Sequence, residues 1–233
     1  MRFILTRPME DSLHLGSLME NLHHDVLIDP MLEIEFIKND FDIKEINCFI
    51  ITSRYAAHSL LKIHNINKLK NKIFFCIGIA TRNILINYGF KNIHHANGTS
   101  EDLLEIITIH SIKNNKFLYI RGADINCDIC KILNNFGIST SEEIVYKANS
   151  ATALLMETVT AINNNTIDGI IFYSKRTAEI FINLIKINKL SNKTSIICAY
   201  CLSEEIADIL RAFNMKVKVA KYPMNDDIIN LIN

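Results

Sequence analysis

Short apolar runs alternate along this chain with segments whose apolar residues recur every three or four positions. The runs are bounded by polar residues and occupy positions 3–5, 49–51, 74–77, 117–120 and 170–173. Runs of this kind are typical of strands buried on both faces of a parallel sheet. Between them, Ile129, Ile132, Leu133 and Phe136 have the spacing of an amphipathic helix face. The alternation predicts right-handed βαβ units and therefore an α/β fold.

The pattern also repeats within the chain, with a circular shift. Three segments of the middle region resemble three later segments in the same order: 48–57 with 170–178, 72–90 with 195–215, and 93–107 with 217–232. A fourth segment, 117–137, has its counterpart at the start of the chain, in 3–22. In the third pair we expect Ser100 and Asn225 to be helix N-caps, because acidic residues follow in the first turn. One domain should therefore be continuous and the other built from both ends of the chain.

The expected fold class is α/β, with two similar, flavodoxin-like domains that are circularly related repeats. Each should hold a parallel sheet of four or five strands flanked by helices. The predicted discontinuous domain comprises residues 1–32 and 149–233, and the continuous domain comprises residues 37–141. Residues 33–36 and 142–148 alternate between apolar and polar side chains, which predicts a two-stranded linker between the domains. A cleft between the two domains is the expected ligand site.

Arginine is concentrated just after the apolar runs. Five of the seven arginines lie within five residues of the end of a run: Arg7, Arg54, Arg82, Arg121 and Arg176. In open α/β sheets ligands bind outside the carboxyl ends of the strands, and a guanidinium binds carboxylate or phosphate through paired hydrogen bonds. Helix N-termini, which offer N–H groups to anions, are expected at the same edge, at Ser53, Thr81, Ser100, Ser174 and Ser203. The sequence therefore predicts an anionic ligand, held by charges that face each other across the cleft.

Composition narrows the range of partners. The 233 residues are 49% hydrophobic and 21% charged, and 25 basic residues balance 25 acidic ones. Without net charge there is no overall field to attract nucleic acid or a membrane surface, so we expect neither as a partner. No apolar stretch is long enough to span a membrane, and Pro8 interrupts the first run too early for a secretory signal. We expect a cytoplasmic monomer.

Two CxxC pairs, Cys127–Cys130 and Cys198–Cys201, raise the question of a zinc or redox site. They are separated by 67 residues, whereas structural zinc sites place two such pairs about 15 to 20 residues apart. The first pair is expected inside a helix and the second at the end of a strand, so reduced core cysteines are predicted. Gly78 stands alone rather than in a glycine-rich nucleotide motif. The sequence therefore predicts no metal and no cofactor.

Several short motifs, taken in order, resemble those of the uroporphyrinogen-III synthase family. They are ILTRP at 4–8, FIITSRYAA at 49–57, CIGIATRNIL at 76–85, TSEDLL at 99–104, YIRG at 119–122, EEIVYKA at 142–148 and CLSEEIADIL at 201–210. The resemblance covers nearly the whole chain. It implies a cytosolic lyase of haem and tetrapyrrole biosynthesis that needs neither cofactor nor metal. Such an enzyme cyclises hydroxymethylbilane, a linear tetrapyrrole polycarboxylate, with loss of water and inversion of the last pyrrole ring, through what is thought to be a spiro intermediate.

The resemblance also implies a set of substrate-binding residues: Arg7, Thr52, Ser53, Gly78, Thr81, Ser100, Arg121, Gly122, Ser174 and Ser203. Arg7 and Arg121 stand at equivalent positions of the two repeats. Some family members carry a tyrosine, proposed as the proton donor, where this chain has Thr160 and Ala161. Tyr173, at the end of a predicted strand, is a candidate catalytic replacement.

A second hypothesis is a non-catalytic, two-domain protein that binds a small polyanionic ligand. The arginines predict ligand binding in both cases, so only a product assay separates the two.

Overall fold

The computed structural model describes residues 1–37, 42–62, 66–110, 115–222 and 224–232. Strands and helices alternate along most of it, except that β2, β3 and β4 follow one another directly. The strands are β1 (Arg2–Leu5), β2 (Asp25–Ile28), β3 (Leu32–Phe36), β4 (Cys48–Ile51), β5 (Ile73–Ile77), β6 (Ile93–Ala96), β7 (Phe117–Gly122), β8 (Thr140–Ser150), β9 (Gly169–Phe172), β10 (Cys198–Cys201) and β11 (Lys216–Val219). The helices are α1 (Met9–Asn21), α2 (Arg54–Leu60), α3 (Ile79–Asn87), α4 (Ser100–His110), α5 (Ile129–Asn135), α6 (Met156–Asn163), α7 (Lys175–Ile187), α8 (Glu204–Ala212) and α9 (Asn225–Ile232). None of the helices described is long and apolar enough to cross a bilayer.

The elements form two compact units. One comprises Met1–Glu33 together with Asn149–Asn233, and the other comprises Ile34–Ala148. We call them the discontinuous unit and the continuous unit. The α/β class and the presence of two parallel sheets flanked by helices are confirmed.

The discontinuous unit contains a five-stranded sheet of order β11-β10-β9-β1-β2. Every strand pair in it is parallel. Alternate residues of β1 and β9 enter different cores, since successive side chains point to opposite faces. Ile4 and Ile170 pack in one cluster with Phe172, whereas Phe3 and Leu5 pack in the other. Burial on both faces explains why these strands are continuous apolar runs rather than alternating ones.

The continuous unit contains a six-stranded sheet of order β3-β8-β7-β4-β5-β6. The pairs from β8 to β6 are parallel. Phe49 and Ile51 of β4 pack on one face, and Cys48 and Ile50 pack on the other. The segments predicted as linker strands fall on β3 and on the central part of β8; the two strands are neighbours in this sheet, with β3 at its edge. The sheet consequently has six strands where four or five were expected.

The first CxxC pair is not inside a helix, contrary to the expectation from the sequence pattern. Asp128 is the N-cap of α5, and its side chain accepts a hydrogen bond from the backbone N–H of Lys131 at 2.9 Å. Cys127 therefore precedes the helix and Cys130 lies in its first turn. An aspartate is a better N-cap than a mid-helix residue, so it marks the helix start between the two cysteines. All six cysteines are free thiols, and no group of three or more metal-ligating side chains occurs in the described part of the chain.

Candidate active site

A cavity of about 330 Å³ lies in the continuous unit, at the carboxyl ends of β4, β5 and β7. Such edges are where ligands bind in open α/β sheets. The cavity is lined by Thr52, Ser53, Ile77, Gly98, Ser100, Tyr119, Gly122, Asp124, Ile125, Asn126, Cys127 and Tyr146. Four of the predicted substrate-binding residues, Thr52, Ser53, Ser100 and Gly122, are thus brought together.

Thr52 and Ser53 connect β4 to α2 and both line the cavity. Ser53 is the N-cap of α2, with an extended backbone, and its Oγ accepts a hydrogen bond from the N–H of Ala56 at 3.1 Å. The Thr52 hydroxyl lies 3.0 Å from the hydroxyl of Tyr119 on β7. Burial raises the pKa of Tyr119, and the hydrogen bond with Thr52 offsets part of that shift. Tyr119 is therefore a neutral phenol at neutral pH, able to donate a hydrogen bond.

Ser100 lines the cavity but is not the N-cap of α4, so that prediction is wrong. The N–H of Asp102 donates to Thr99 Oγ1 at 3.1 Å, and the N–H of Thr99 donates to Asp102 Oδ2 at 3.2 Å. This reciprocal pair is a capping box, which requires a side-chain acceptor three residues after the cap. Thr99 has Asp102 at that position, whereas Ser100 has Leu103. Ser100 is the first residue of the helix.

Gly122, at the end of β7, allows the ring of Tyr146 to approach the backbone closely. The strand pairing shifts there, because Arg121 pairs with Ile144 while Gly122 pairs with Tyr146. A Cβ on Gly122 would lie 2.6 Å from Tyr146 Cζ, closer than van der Waals contact allows. The irregularity thus places the phenol of Tyr146 over the strand end, in the cavity wall. Burial raises the pKa of Tyr146, and a hydrogen bond with Ser53 acts in the opposite direction.

The Arg121 side chain is buried and forms hydrogen bonds with groups of the continuous unit, to which it belongs. Its Nε and Nη2 donate to the two carboxylate oxygens of Glu142, each at 2.9 Å. Its Nη1 donates to the carbonyl oxygens of Gly122 at 2.9 Å and Ala123 at 3.3 Å. The Arg121 side chain is 10% exposed and that of Glu142 is 36% exposed. We call this group the Arg121 clasp; it joins β7, β8 and the start of the loop after β7.

Gly78 and Thr81 lie at the β5–α3 junction, outside the cavity lining. Gly78 is the N-cap of α3 with a φ of +80°, a conformation that glycine adopts without strain. Thr81 is not at the helix N-terminus as predicted but is the third residue of α3, and it is buried. The capping position falls on Gly78 because the chain must turn there through positive φ.

The remaining predicted residues lie at the carboxyl ends of β1, β9 and β10, which are neighbours in the discontinuous unit. Ser174 is the N-cap of α7, and its Oγ accepts from the N–H of Thr177 at 3.2 Å. Ser203 is at the N-cap of α8 without a side-chain capping bond. Thr160 and Ala161 are on α6, where Thr160 donates its hydroxyl hydrogen to the carbonyl of Met156 at 2.8 Å.

Arg7 and Tyr173 lie in contact within the discontinuous unit. Arg7 Nη2 is 3.0 Å from Asp11 Oδ2, and its guanidinium carbon lies 4.2 Å from the centre of the Tyr173 ring. The Asn225 side-chain oxygen is 3.5 Å from Nη1. Burial raises the pKa of Tyr173, although the charge of Arg7 lowers it. Tyr173 is therefore a neutral phenol stacked beneath a cation.

Sequence reasoning missed Tyr119, Asp124 and Tyr146 as cavity residues. Tyr119 is in the middle of an apolar run, which gives no functional signal. Its hydroxyl contacts that of Thr52, which directly follows the neighbouring strand β4. Asp124 follows YIRG by two residues, and its position just past a strand end could have drawn attention to it.

Comparison with solved structures finds the same fold in two bacterial proteins. The structure of uroporphyrinogen-III synthetase from Helicobacter pylori matches with a TM-score of 0.67 at 19% identity, over 100% of this chain and 98% of that chain. A mutant uroporphyrinogen III synthase from the extremely thermophilic bacterium Thermus thermophilus matches with a TM-score of 0.56 at 14% identity, over 99% of this chain and 96% of that chain. Comparison with curated protein sequences gives no significant match.

A family model described as uroporphyrinogen-III synthase HemD matches residues 14–230. The match includes most of both units and every cavity residue named above. The predicted family is thereby confirmed. The chain belongs to the uroporphyrinogen-III synthase family, the cyclising lyases of haem biosynthesis.

Proposed function

We propose that this protein cyclises hydroxymethylbilane to uroporphyrinogen III, with loss of water and inversion of the last pyrrole ring. The observation that carries the proposal is the family match over residues 14–230. The cavity supports it, because a reaction that depends on orienting a flexible polycarboxylate needs many hydrogen-bond donors rather than a nucleophile.

In the continuous unit, the donors proposed for substrate carboxylates are the hydroxyls of Thr52, Ser53 and Ser100 and the backbone N–H groups near them and near Gly122. The phenols of Tyr119 and Tyr146 add two further donors, since burial raises the pKa of each. A cavity of about 330 Å³ is at the lower end of the usual range for ligand sites. It therefore suits one substituted pyrrole ring rather than the whole tetrapyrrole.

In the discontinuous unit, Arg7, Ser174 and Ser203 are proposed as carboxylate ligands at the carboxyl edge of the sheet. Arg7 has a 21% exposed side chain, and its partner Asp11 is one helical turn away on α1, so a substrate carboxylate can compete for its remaining N–H groups. Gly78 and Thr81 stay predictions. For Arg121 we propose an indirect role, because its guanidinium already donates four hydrogen bonds, two to Glu142 and two to backbone carbonyls.

Tyr173 stays a predicted catalytic residue. The reaction needs a proton for the departing hydroxyl, and Tyr173 is neutral and adjacent to Arg7. Its raised pKa makes it a weaker acid than free tyrosine, so the role needs a direct test. Tyr173→Phe should lower kcat at least tenfold if the phenol donates that proton; unchanged turnover in a folded variant would reject the role.

The decisive experiment is a product assay with freshly prepared hydroxymethylbilane. After oxidation, the porphyrin isomers are separated and the fraction of isomer III is compared with that of a protein-free control. We expect isomer III to dominate with active protein and isomer I without it. A product mixture that matches the control would refute the synthase proposal. The alternative is a non-catalytic binder of a polyanion. It is supported by Thr160 and Ala161, which stand where some family members have the proposed proton-donating tyrosine. It predicts saturable binding with no enrichment of isomer III.

We also propose that the protein acts as a cytoplasmic monomer without nucleic-acid partners. The balance of 25 basic and 25 acidic residues supports the last point. Analytical ultracentrifugation at micromolar concentration tests the oligomeric state, and a sedimentation mass near 26.6 kDa is expected.

A further inference from the structure

The cavity of the continuous unit contains a negative charge. Among the described residues that line it, Asp124 is the one with a charged side chain; the others supply hydroxyl, phenol, thiol, amide and apolar groups. A carboxylate in this position repels the acetate and propionate groups of the substrate. If the protein has the proposed function, Asp124 must therefore serve a part of the substrate other than these carboxylates.

A pyrrole ring has two chemically different edges. Its acetate and propionate are on the carbons remote from nitrogen, whereas the N–H group is a donor on the opposite edge. A carboxylate accepts hydrogen bonds and donates none when ionised. Asp124 consequently attracts the N–H edge and repels the carboxylate edge, so that the ring can enter the cavity in one orientation. The hydroxyls of Ser53 and Ser100 are suited to the carboxylate edge.

We propose that Asp124 accepts a hydrogen bond from the N–H of the pyrrole ring that carries the hydroxymethyl group, and that this bond strengthens as that ring reacts. When the C–O bond breaks, both electrons leave with oxygen, which takes a proton and departs as water. The nitrogen lone pair then delocalises into the ring, which becomes a cation with a more acidic N–H. The α-carbon of the last pyrrole that carries the bridge to the preceding ring attacks this cation and forms the spiro intermediate. The old bridge bond then breaks, its electrons return to the last ring, and the preceding ring becomes the cation. The unsubstituted α-carbon of the inverted ring attacks that cation and loses its proton, so charge and atoms balance with the loss of one water. A fixed carboxylate beside the N–H stabilises the cation without moving.

The surrounding structure holds Asp124 in place. The carbonyl oxygens of the two preceding residues, Gly122 and Ala123, are both bonded to Arg121 Nη1. The N–H of Ala123 donates to the carbonyl of Tyr146 at 2.9 Å. The Asp124 charge is also close to the phenol of Tyr146: burial raises the pKa of Tyr146 and the charge of Asp124 raises it further. The phenol thus stays protonated beside the carboxylate.

Asp124→Asn tests the proposal, because it removes the charge and keeps the shape. We expect kcat to fall tenfold or more, while KM stays the same or falls, since a repulsion with the polyanionic substrate has been removed. Glu105→Gln, an exposed residue on α4, is the matched control and should keep wild-type kcat and KM. A purely structural role would raise KM or lower the amount of folded enzyme without this split between kcat and KM. Asp124→Asn with kcat within twofold of wild type would overturn the proposal.

A second pair of variants covers the case in which Asp124→Asn folds poorly. Asp124→Glu keeps the charge, and Asp124→Gln has the same length without it. We expect Asp124→Glu to retain at least tenfold more kcat than Asp124→Gln, whereas equal kcat values would refute a role of the charge. Wild-type enzyme is assayed in parallel: isomer III from wild type with no effect of the variants rejects the Asp124 proposal alone. Absence of isomer III from wild type rejects the proposed function and this inference with it.

Discussion

Replacing Arg121 with methionine should destabilise the continuous unit and disorder the loop after β7. Methionine fills much of the same space, so the change removes mainly the hydrogen bonds of the Arg121 clasp. Breaking a buried ion pair by removing one partner costs about 3–5 kcal/mol. The Glu142 side chain is 36% exposed and can be rehydrated, which reduces the loss. Both backbone carbonyls lose a charged donor; Gly122 is buried, whereas Ala123 is exposed and its carbonyl can be rehydrated. We therefore expect a loss of about 2 kcal/mol in the free energy of unfolding.

Urea unfolding measures that loss, and amide hydrogen exchange locates it. Exchange should accelerate in residues 122–128 of Arg121→Met while the strands of the discontinuous unit keep wild-type rates. Arg211→Met is the control, because Arg211 makes two ion pairs on an exposed surface of α8, and its free energy of unfolding should be unchanged. Glu142→Gln combined with Arg121→Met should cost less than the sum of the single changes, since both remove the same pair.

Salt separates this structural role from direct anion binding. If Arg121 only positions the loop, Arg121→Met should raise KM by the same factor at low and high salt, because no exposed charge contact to substrate is lost. Wild-type stability together with an increase in KM that shrinks at high salt would refute the reasoning. That outcome would show that the Arg121 guanidinium contacts the substrate itself.

Three further predictions follow from local geometry. Gly122→Ala should lower the free energy of unfolding by about 1–3 kcal/mol through overpacking, since its Cβ would lie 2.6 Å from Tyr146 Cζ. In urea unfolding this loss should be smaller when Tyr146→Ala is also present; additive losses in the double variant would contradict the contact. Ser53→Ala should cost about 1 kcal/mol because its side chain caps α2, whereas Ser203→Ala should cost almost nothing, as its hydroxyl makes no capping bond; equal losses in thermal unfolding would contradict this. Burial lowers the pKa of His94, so as pH falls below about 6.5 this histidine binds a proton more readily in the unfolded chain than in the folded protein. The free energy of unfolding should therefore decline between pH 7 and 5 in wild type, and decline less in His94→Asn. Urea midpoints that depend on pH in the same way in both proteins would refute this.

The fold follows from the sequence because its main determinant is local. A strand buried on both faces must be apolar at every position, and Phe49 and Ile50 enter different cores although they are neighbours. The runs therefore identify the strands directly. The edge strand β3 and its neighbour β8 differ, because most of their residues are exposed or only partly buried. Their neighbours in the sheet depend on contacts far apart in sequence, which the pattern does not contain.

The site was predictable where position along a strand decides it. Thr52 and Ser53 follow β4, Ser100 follows β6 and Gly122 ends β7, so parallel strands bring them to one edge. Asp124 depends on the loop after β7, whose course is fixed by the Arg121 clasp. Tyr146 reaches the cavity through a shift in strand pairing. Neither the loop course nor the shift has a signature in a single sequence, because both arise from side chains that meet only after folding.

The arginines show why chemistry is harder to predict than fold. Arg7 and Arg121 occupy equivalent positions in the two repeats, and an arginine at a strand end predicts an anion in both. Both guanidiniums bind carboxylates, but those carboxylates belong to the protein: Asp11 in one unit and Glu142 in the other. The anionic ligand itself stays a prediction. The Glu142 partner is on a neighbouring strand and accepts two bonds at once, which commits Arg121 to the structure. Asp11, on α1, accepts one hydrogen bond from Arg7. The guanidinium of Arg7 is more exposed than that of Arg121, and it keeps N–H donors for another anion. The equivalent positions have therefore diverged, and of the two Arg7 is the better candidate to bind a substrate carboxylate.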